Sequence, residues 1–187
     1  MVEELERSGQ IVALQGRMAT SRSIRDRELR VMNVAETRAR SQAAPISERG
    51  RAAGEAAANA RLGAGRALHR EQKDALEVLT RGSGWSILTG RAGTGKGPVL
   101  RAVAEAHRTD GWQVIGCATD GTIAEQLGGD IAPVAGSNPA RETTHCSITM
   151  FLTKAQHALV TLDDKTLLIV EEASKVGLRQ WYEIALL

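Results

Sequence analysis

Aromatic side chains are scarce in this sequence, with one Phe, one Tyr and three Trp among 187 residues. Any core must therefore rest on Leu, Val, Ile and Ala, and an apolar share of 42% is enough to build one. Cysteine is limited to Cys117 and Cys146, whose spacing fits neither a metal-ligand nor a redox motif. That excludes a disulfide framework and leaves two buried thiols, with a reducing cytoplasm as the expected location. No apolar run approaches the length of a membrane span, so no transmembrane helix is expected. The opening residues, MVEELERSGQ, are acidic and polar and lack the hydrophobic stretch of a signal peptide. Lysine is missing from residues 1–66, where all twelve basic residues are Arg against eight acidic ones, while the remainder holds twelve basic and fourteen acidic. This asymmetry reads either as a solvated helix surface or as a contact for nucleic-acid phosphate.

What is present divides the chain in two. Residues 5–40 contain no Pro and only two Gly, and Ile24, Leu29, Val31, Met32 and Val34 form a loose apolar stripe. The pattern predicts one or two amphipathic helices, with Thr20 or Ser21 as an N-cap. Residues 41–66 are rich in Ala, Gly and Arg and can bury little surface, which reads as a linker or a marginal helix. A boundary near residue 66 follows, with a helical, Arg-rich segment and linker at 1–66 and a second unit at 67–187.

Beyond it the pattern alternates. "LHREQKDALEVLTRG" predicts a helix, "WSILTG" a compact strand, "KGPVLRAVAEAHRTDG" a helix, "WQVIGCA" a strand and "GTIAEQLGG" a short helix. Residues 128–143 read as a surface loop, "SITMFLTKAQHAL" as a helix, "TLLIVEEAS" as a strand and "GLRQWYEIALL" as a helix. Strands alternating with helices predict an α/β fold with a parallel sheet covered on both faces.

Between the first strand and its helix lies G-x-x-x-x-G-K, from Gly90 through Arg91, Ala92, Gly93, Thr94 and Gly95 to Lys96. Polyphosphate needs several backbone N–H donors converging on it, and glycines let the chain approach closely. The helix start adds unpaired N–H groups and a positive dipole end, and Lys96 adds a full charge. Gly97 stands where this motif has Ser or Thr. The complementary acidic group should follow a neighbouring buried strand, and Glu171 and Glu172 do so after "TLLIV".

From Leu68 onward the blocks resemble, in order, the first motor domain of a superfamily-one helicase, and most closely the RecD-like helicase part of conjugative relaxases of the TraA/MobA type. "LHREQKDAL" is similar to that family's Q-motif, "SILTGRAGTGKG" to its phosphate loop, "TTHCSITMFL" to its Thr-x-His segment with His145 matched, and "KTLLIVEEASKV" to its acidic strand. The resemblance implies an incomplete P-loop NTPase (RecA-like) sheet that binds ATP with Mg²⁺. It implies Gln72 as the adenine contact, and residues 90–97 around the phosphates. Lys96 and Glu172 would serve catalysis, with Glu172 orienting the attacking water, and Glu171 would stand for the family's metal-holding Asp. It further implies single-stranded DNA and a relaxase domain or second motor domain as partners.

Five departures qualify those expectations. Gly97 removes the hydroxyl that would bind Mg²⁺, so metal positioning should weaken. Pro98 offers no N–H, though it suits a helix's first turn. Glu171 is one methylene longer than Asp, and Asp120 replaces a Ser or Thr near the DNA backbone. The residues stop at Leu187, short of the glutamine-bearing motif III and the second motor domain, so weak nucleotide binding and slow or undetectable hydrolysis are expected of this chain alone. The alternative is a non-catalytic module that binds single-stranded DNA or protein and carries a degenerate phosphate loop. Tyr182, alone in a terminal helix, is expected to pack.

Overall fold

The computed structural model describes residues 2–13, 19–91, 93–134, 141 and 143–187. A short helix α1 (Val2–Arg7) leads into an antiparallel pair, β1 (Ile11–Ala13) and β2 (Ala19–Ser21), with Ile11 opposite Ser21. The expected helix over residues 5–40 is thus interrupted. Arg22 fixes the interruption by donating its backbone N–H to the Gln10 carbonyl at 2.9 Å and its Nε to the Gly9 carbonyl at 2.6 Å. Helix α2 (Arg22–Arg40) then runs for nineteen residues, capped by Ser21, whose Oγ accepts the Ile24 N–H. None of its residues is buried, and Ile24, Leu29 and Met32 stay exposed.

Of the two readings of residues 41–66, linker or marginal helix, residues 48–62 take the helical one. They form α3 (Glu48–Leu62), capped by Ser47, with Gly50, Gly54, Ala57 and Ala58 buried. Helix α4 (Arg70–Leu79) follows and buries Leu76, and α5 (Lys96–Thr109) is the central helix, with Val99 and the run from Arg101 to Arg108 buried. Small residues on α3 let its backbone approach α5 closely: a Cβ added to Gly54 would run into the Ala102 carbonyl oxygen, and one added to Gly50 would lie 2.8 Å from that of Ala106. Ser47 also ties the two ends together, donating its N–H at 2.5 Å and its Oγ at 2.6 Å to the Asp110 carboxylate.

The sheet is parallel. Its strands are β3 (Gln113–Ala118), β4 (Thr143–Ser147) and β5 (Thr166–Val170), in the order β4-β3-β5, and Gly116 stands level with His145 on one side and Ile169 on the other. Helices α6 (Gly121–Ile131), α7 (Ile148–Gln156) and α8 (Leu178–Ala185) complete the elements, with a 3-10 turn at Ala173–Lys175 before the last. Alternation along β3 divides the core. Val114 faces Leu127, Ile131 and Ala104, while Ile115 and Cys117 face Ile148, Phe151, Leu152 and Ile184. The α/β architecture with both faces covered is therefore present, and the sheet is incomplete.

Two strand assignments change. Residues 86–90, expected as the first strand, pair with no neighbour: Leu88 touches the α3–α5 cluster beside Leu167, but Ile87 is 76% exposed. One anchored side chain does not hold a strand at a sheet edge. Residues 143–147, placed between a predicted loop and a predicted helix, are instead strand β4, because β3 offers a free parallel edge. The predicted surface loop starts later than expected, since α6 continues through Ile131. Cys117 and Cys146 are free thiols and register partners on adjacent strands, the first buried and the second half-buried. Burial, followed by the neighbouring Cys146, pushes the Cys117 thiol up.

Candidate functional site

The loop that ends at Lys96 is shaped by two left-handed glycines, Gly93 and Gly95, each with φ of 80°. Gly95 is the N-cap of α5 and brings no side chain to cap it, so the first-turn amides of Lys96 and Gly97 are left open for an anion. Thr94 closes the turn from within, its Oγ donating to the Arg91 carbonyl at 2.8 Å. The Lys96 ammonium folds back over the loop and donates to the carbonyls of Gly90 at 3.1 Å and Arg91 at 3.3 Å. Ala92 lies outside the described residues.

Gln72 supports this loop from α4. Its Oε1 accepts the His69 N–H at 2.9 Å, and its Nε2 donates to the Gly95 carbonyl at 3.1 Å. Both ends of the amide are thus engaged, and the side chain braces the glycine at the helix start.

The acidic turn comes from β5. The Glu171 N–H donates to the Cys117 carbonyl at 2.8 Å, which extends the ladder by one step and fixes the carboxylate at the strand tip. Burial is the main cause that pushes the Glu171 carboxyl up; the Lys96 ammonium pulls it down, and the charges of Asp130 and Glu172 push it up again. The structure therefore brings Lys96, Glu171 and Asp130 into one electrostatic group. Glu172 is turned differently. Its backbone is left-handed, with φ of 51° and ψ of 43°, a conformation that costs a non-glycine residue of order 1–3 kcal/mol. Its carboxylate pairs with Lys175 Nζ at 2.7 Å, which raises the Lys175 ammonium.

Asp130, from the last turn of α6, is a site residue that the sequence did not single out. A Cβ added to Gly97 would stand 2.7 Å and 2.9 Å from its two carboxylate oxygens. Two buried arginines of α5 hold that turn. Arg101 donates to the carbonyls of Gly129 and, at 3.2 Å, Ala132, and Arg108 donates at 2.7 Å to that of Ile131. Arg108 is itself paired with the buried Glu105 at 2.9 Å. Arg101 and Arg108 recur two helical turns apart, but nothing in the spacing says that they reach across to α6.

Two other residues matched by resemblance have local roles. Asp120 caps α6, its Oδ1 accepting the Ile123 N–H at 2.9 Å, a duty that Ser, Thr and Asp share. His145 lies 3.2 Å from Glu125, with its ring packed on Gly128. Tyr182 packs as expected, under the Arg27 guanidinium at 5.7 Å from its ring centre.

Among the described residues no three His, Cys, Asp or Glu side chains converge as a metal cluster. Mg²⁺ in a phosphate loop does not ask for one: it keeps several waters, takes one or two carboxylates and completes its octahedron with phosphate oxygens. The pair of Asp130 beside the open helix start and Glu171 at the strand tip fits that demand. Among the described residues no helix is long and apolar enough to cross a membrane.

The family model described as AAA domain matches residues 67–186. A probable conjugal transfer protein TraA of Sinorhizobium fredii (strain NBRC 101917 / NGR234) is 31% identical over 113 residues, which cover 60% of this chain and 9% of that protein. A conjugal transfer protein TraA of Rhizobium radiobacter is 30% identical over 113 residues, again 60% of this chain and 9% of the relative. The match thus spans about a tenth of the length of these relatives. No solved structure matches the chain.

Proposed function

The chain belongs to the AAA domain family, and from that premise we propose that it is the ATP-binding module of a helicase-type ATPase of conjugal DNA transfer. The observation that carries this reading is the placement of Lys96, at the uncapped start of α5, within the electrostatic reach of Glu171 at the tip of β5. Loop amides and Lys96 hold the β- and γ-phosphates, and Glu171 faces the metal side. Glu171 would help to hold Mg²⁺, which when bound would supply positive charge to offset that of the phosphates. Gln72 keeps Gly95 in place, and its contact with adenine requires release of one of the two hydrogen bonds its amide makes. Glu172 is the group for orienting the attacking water. Its carboxylate is paired with Lys175 and would have to leave that ion pair to do so. The conjugal context draws its support from the two TraA relatives, and it brings single-stranded DNA, a relaxase domain or second motor domain, and the cytoplasm with it.

Titration with a fluorescent ATP analogue tests the site. Charge-assisted hydrogen bonds contribute roughly 1.5–3 kcal/mol, so Lys96→Ala should weaken binding by at least about tenfold. Equal affinity of parent and variant would sink the assignment.

A second reading, a non-catalytic binding module, is favoured by one feature: α2 carries six Arg and buries none of its residues. If it holds single-stranded DNA by phosphate contacts, affinity should fall steeply between about 50 and 200 mM salt. A salt-independent affinity, or none at low salt, removes that reading.

A further inference from the structure

Gly97 deprives the loop of a hydroxyl, and the space beside it is filled by a carboxylate. We propose that Asp130 supplies the missing oxygen, its side chain taking the place of the loop's Ser or Thr hydroxyl as a ligand of the Mg²⁺ that accompanies a nucleoside triphosphate. The inference rests on the nucleotide-site reading above and names a residue that the phosphate-loop motif itself does not contain.

The geometry points there from two sides. First, the position is shared: both Asp130 oxygens lie within 2.9 Å of where a Cβ at residue 97 would stand, so the carboxylate and a residue-97 side chain exclude each other. Gly97 is then the residue that Asp130 requires, rather than a defect of the loop. Second, the position is held. The carbonyls of Gly129, Ile131 and Ala132, flanking Asp130, are all gripped by Arg101 and Arg108 from α5. Because α5 also starts at Lys96, the loop and the carboxylate belong to one rigid unit. A ligand set on rigid elements keeps the geometry that Mg²⁺ demands.

The surroundings also argue against a purely local role. The guanidiniums of Arg101 and Arg108 spend their hydrogen bonds on backbone carbonyls, Glu105 and Thr143 rather than on Asp130.

The experiment measures affinity of the full chain for a fluorescent ADP analogue with and without Mg²⁺, beside a Mn²⁺ titration followed by electron paramagnetic resonance in the presence of ADP. The parent should bind nucleotide more tightly with Mg²⁺. Asp130→Asn should lose that enhancement and weaken Mn²⁺ binding by at least about tenfold, while metal-free nucleotide affinity does not fall, since a carboxylate beside the phosphates is removed. Gly97→Ser alone should bind metal no better than the parent, because the new side chain meets the carboxylate. The double variant G97S/D130A should regain the enhancement. An Asp130→Asn protein that keeps the full Mg²⁺ enhancement overturns the inference, whatever its melting temperature. Parent binding that is indifferent to Mg²⁺ overturns it alone, and no nucleotide binding by the parent overturns it together with the site reading. If Asp130→Asn fails to fold, G97S/D130A decides: enhancement at the parent level supports the exchange, and its absence refutes it.

Discussion

His107 shows how one buried ring makes this fold sensitive to acid. It lies on α5, with Nδ1 2.7 Å from the Val103 carbonyl and its ring edge-on to Trp112 at 5.1 Å. Nδ1 carries the proton, since the carbonyl can only accept. Burial, the largest cause, holds the folded ring below its ordinary value, despite the opposing Val103 carbonyl and Asp110 charge. In the unfolded chain the ring protonates first as pH falls, so stability declines below about pH 6.5 and goes on declining until the folded ring also charges. Chemical denaturation at pH 7 and pH 5 should show the loss, and His107→Gln should shrink it. An unchanged difference between the two pH values in the variant would assign the acid sensitivity to other groups. The same kind of residue-level reading explains why Lys96, Glu171 and the loop glycines were legible in the sequence and Asp130 was not. The former are set by a motif of fixed spacing. The latter reaches Gly97 from another helix, thirty-three positions later, through a clamp made by Arg101 and Arg108.

Helix α3 sets the next scale. Its residues are too small to suggest a core, and for an isolated helix that judgement holds. Against α5, smallness is what permits contact: the backbones approach until a Cβ on Gly54 would meet the Ala102 carbonyl oxygen. Gly→Ala in a helix ordinarily gains about 1 kcal/mol. At Gly54 the overpacking cost, typically about 1–3 kcal/mol against a backbone atom that cannot move aside, should outweigh it. Gly54→Ala should therefore lower the melting temperature, while Gly129→Ala, on α6 with open space around it, should raise it. Equal responses would mean that α3 is not packed as described. Strand β4 was hidden for a related reason. "TTHCS" has no apolar run, and it is a strand because β3 lends it an edge. Conversely "WSILTG" has the apolar run and lacks a partner, which leaves residues 86–90 unpaired.

At the scale of the molecule, an α/β alternation was readable from period although β4 was missed and "WSILTG" was misassigned, and the order of the strands was not readable, because order depends on which edges meet. That order, β4-β3-β5, places the earliest strand of the sheet between two later ones. As the polypeptide leaves the ribosome, the helical layer of α3, α4 and α5 is complete once residue 109 has emerged, and its contacts can form at once. Strand β3 follows within ten residues but waits for residue 147 to gain its first neighbour and for residue 170 to gain its second. The nascent chain thus carries a bare central strand through about thirty residues of translation and one with an open edge through about twenty more, and the acidic turn is the last piece of the proposed nucleotide site to be synthesised.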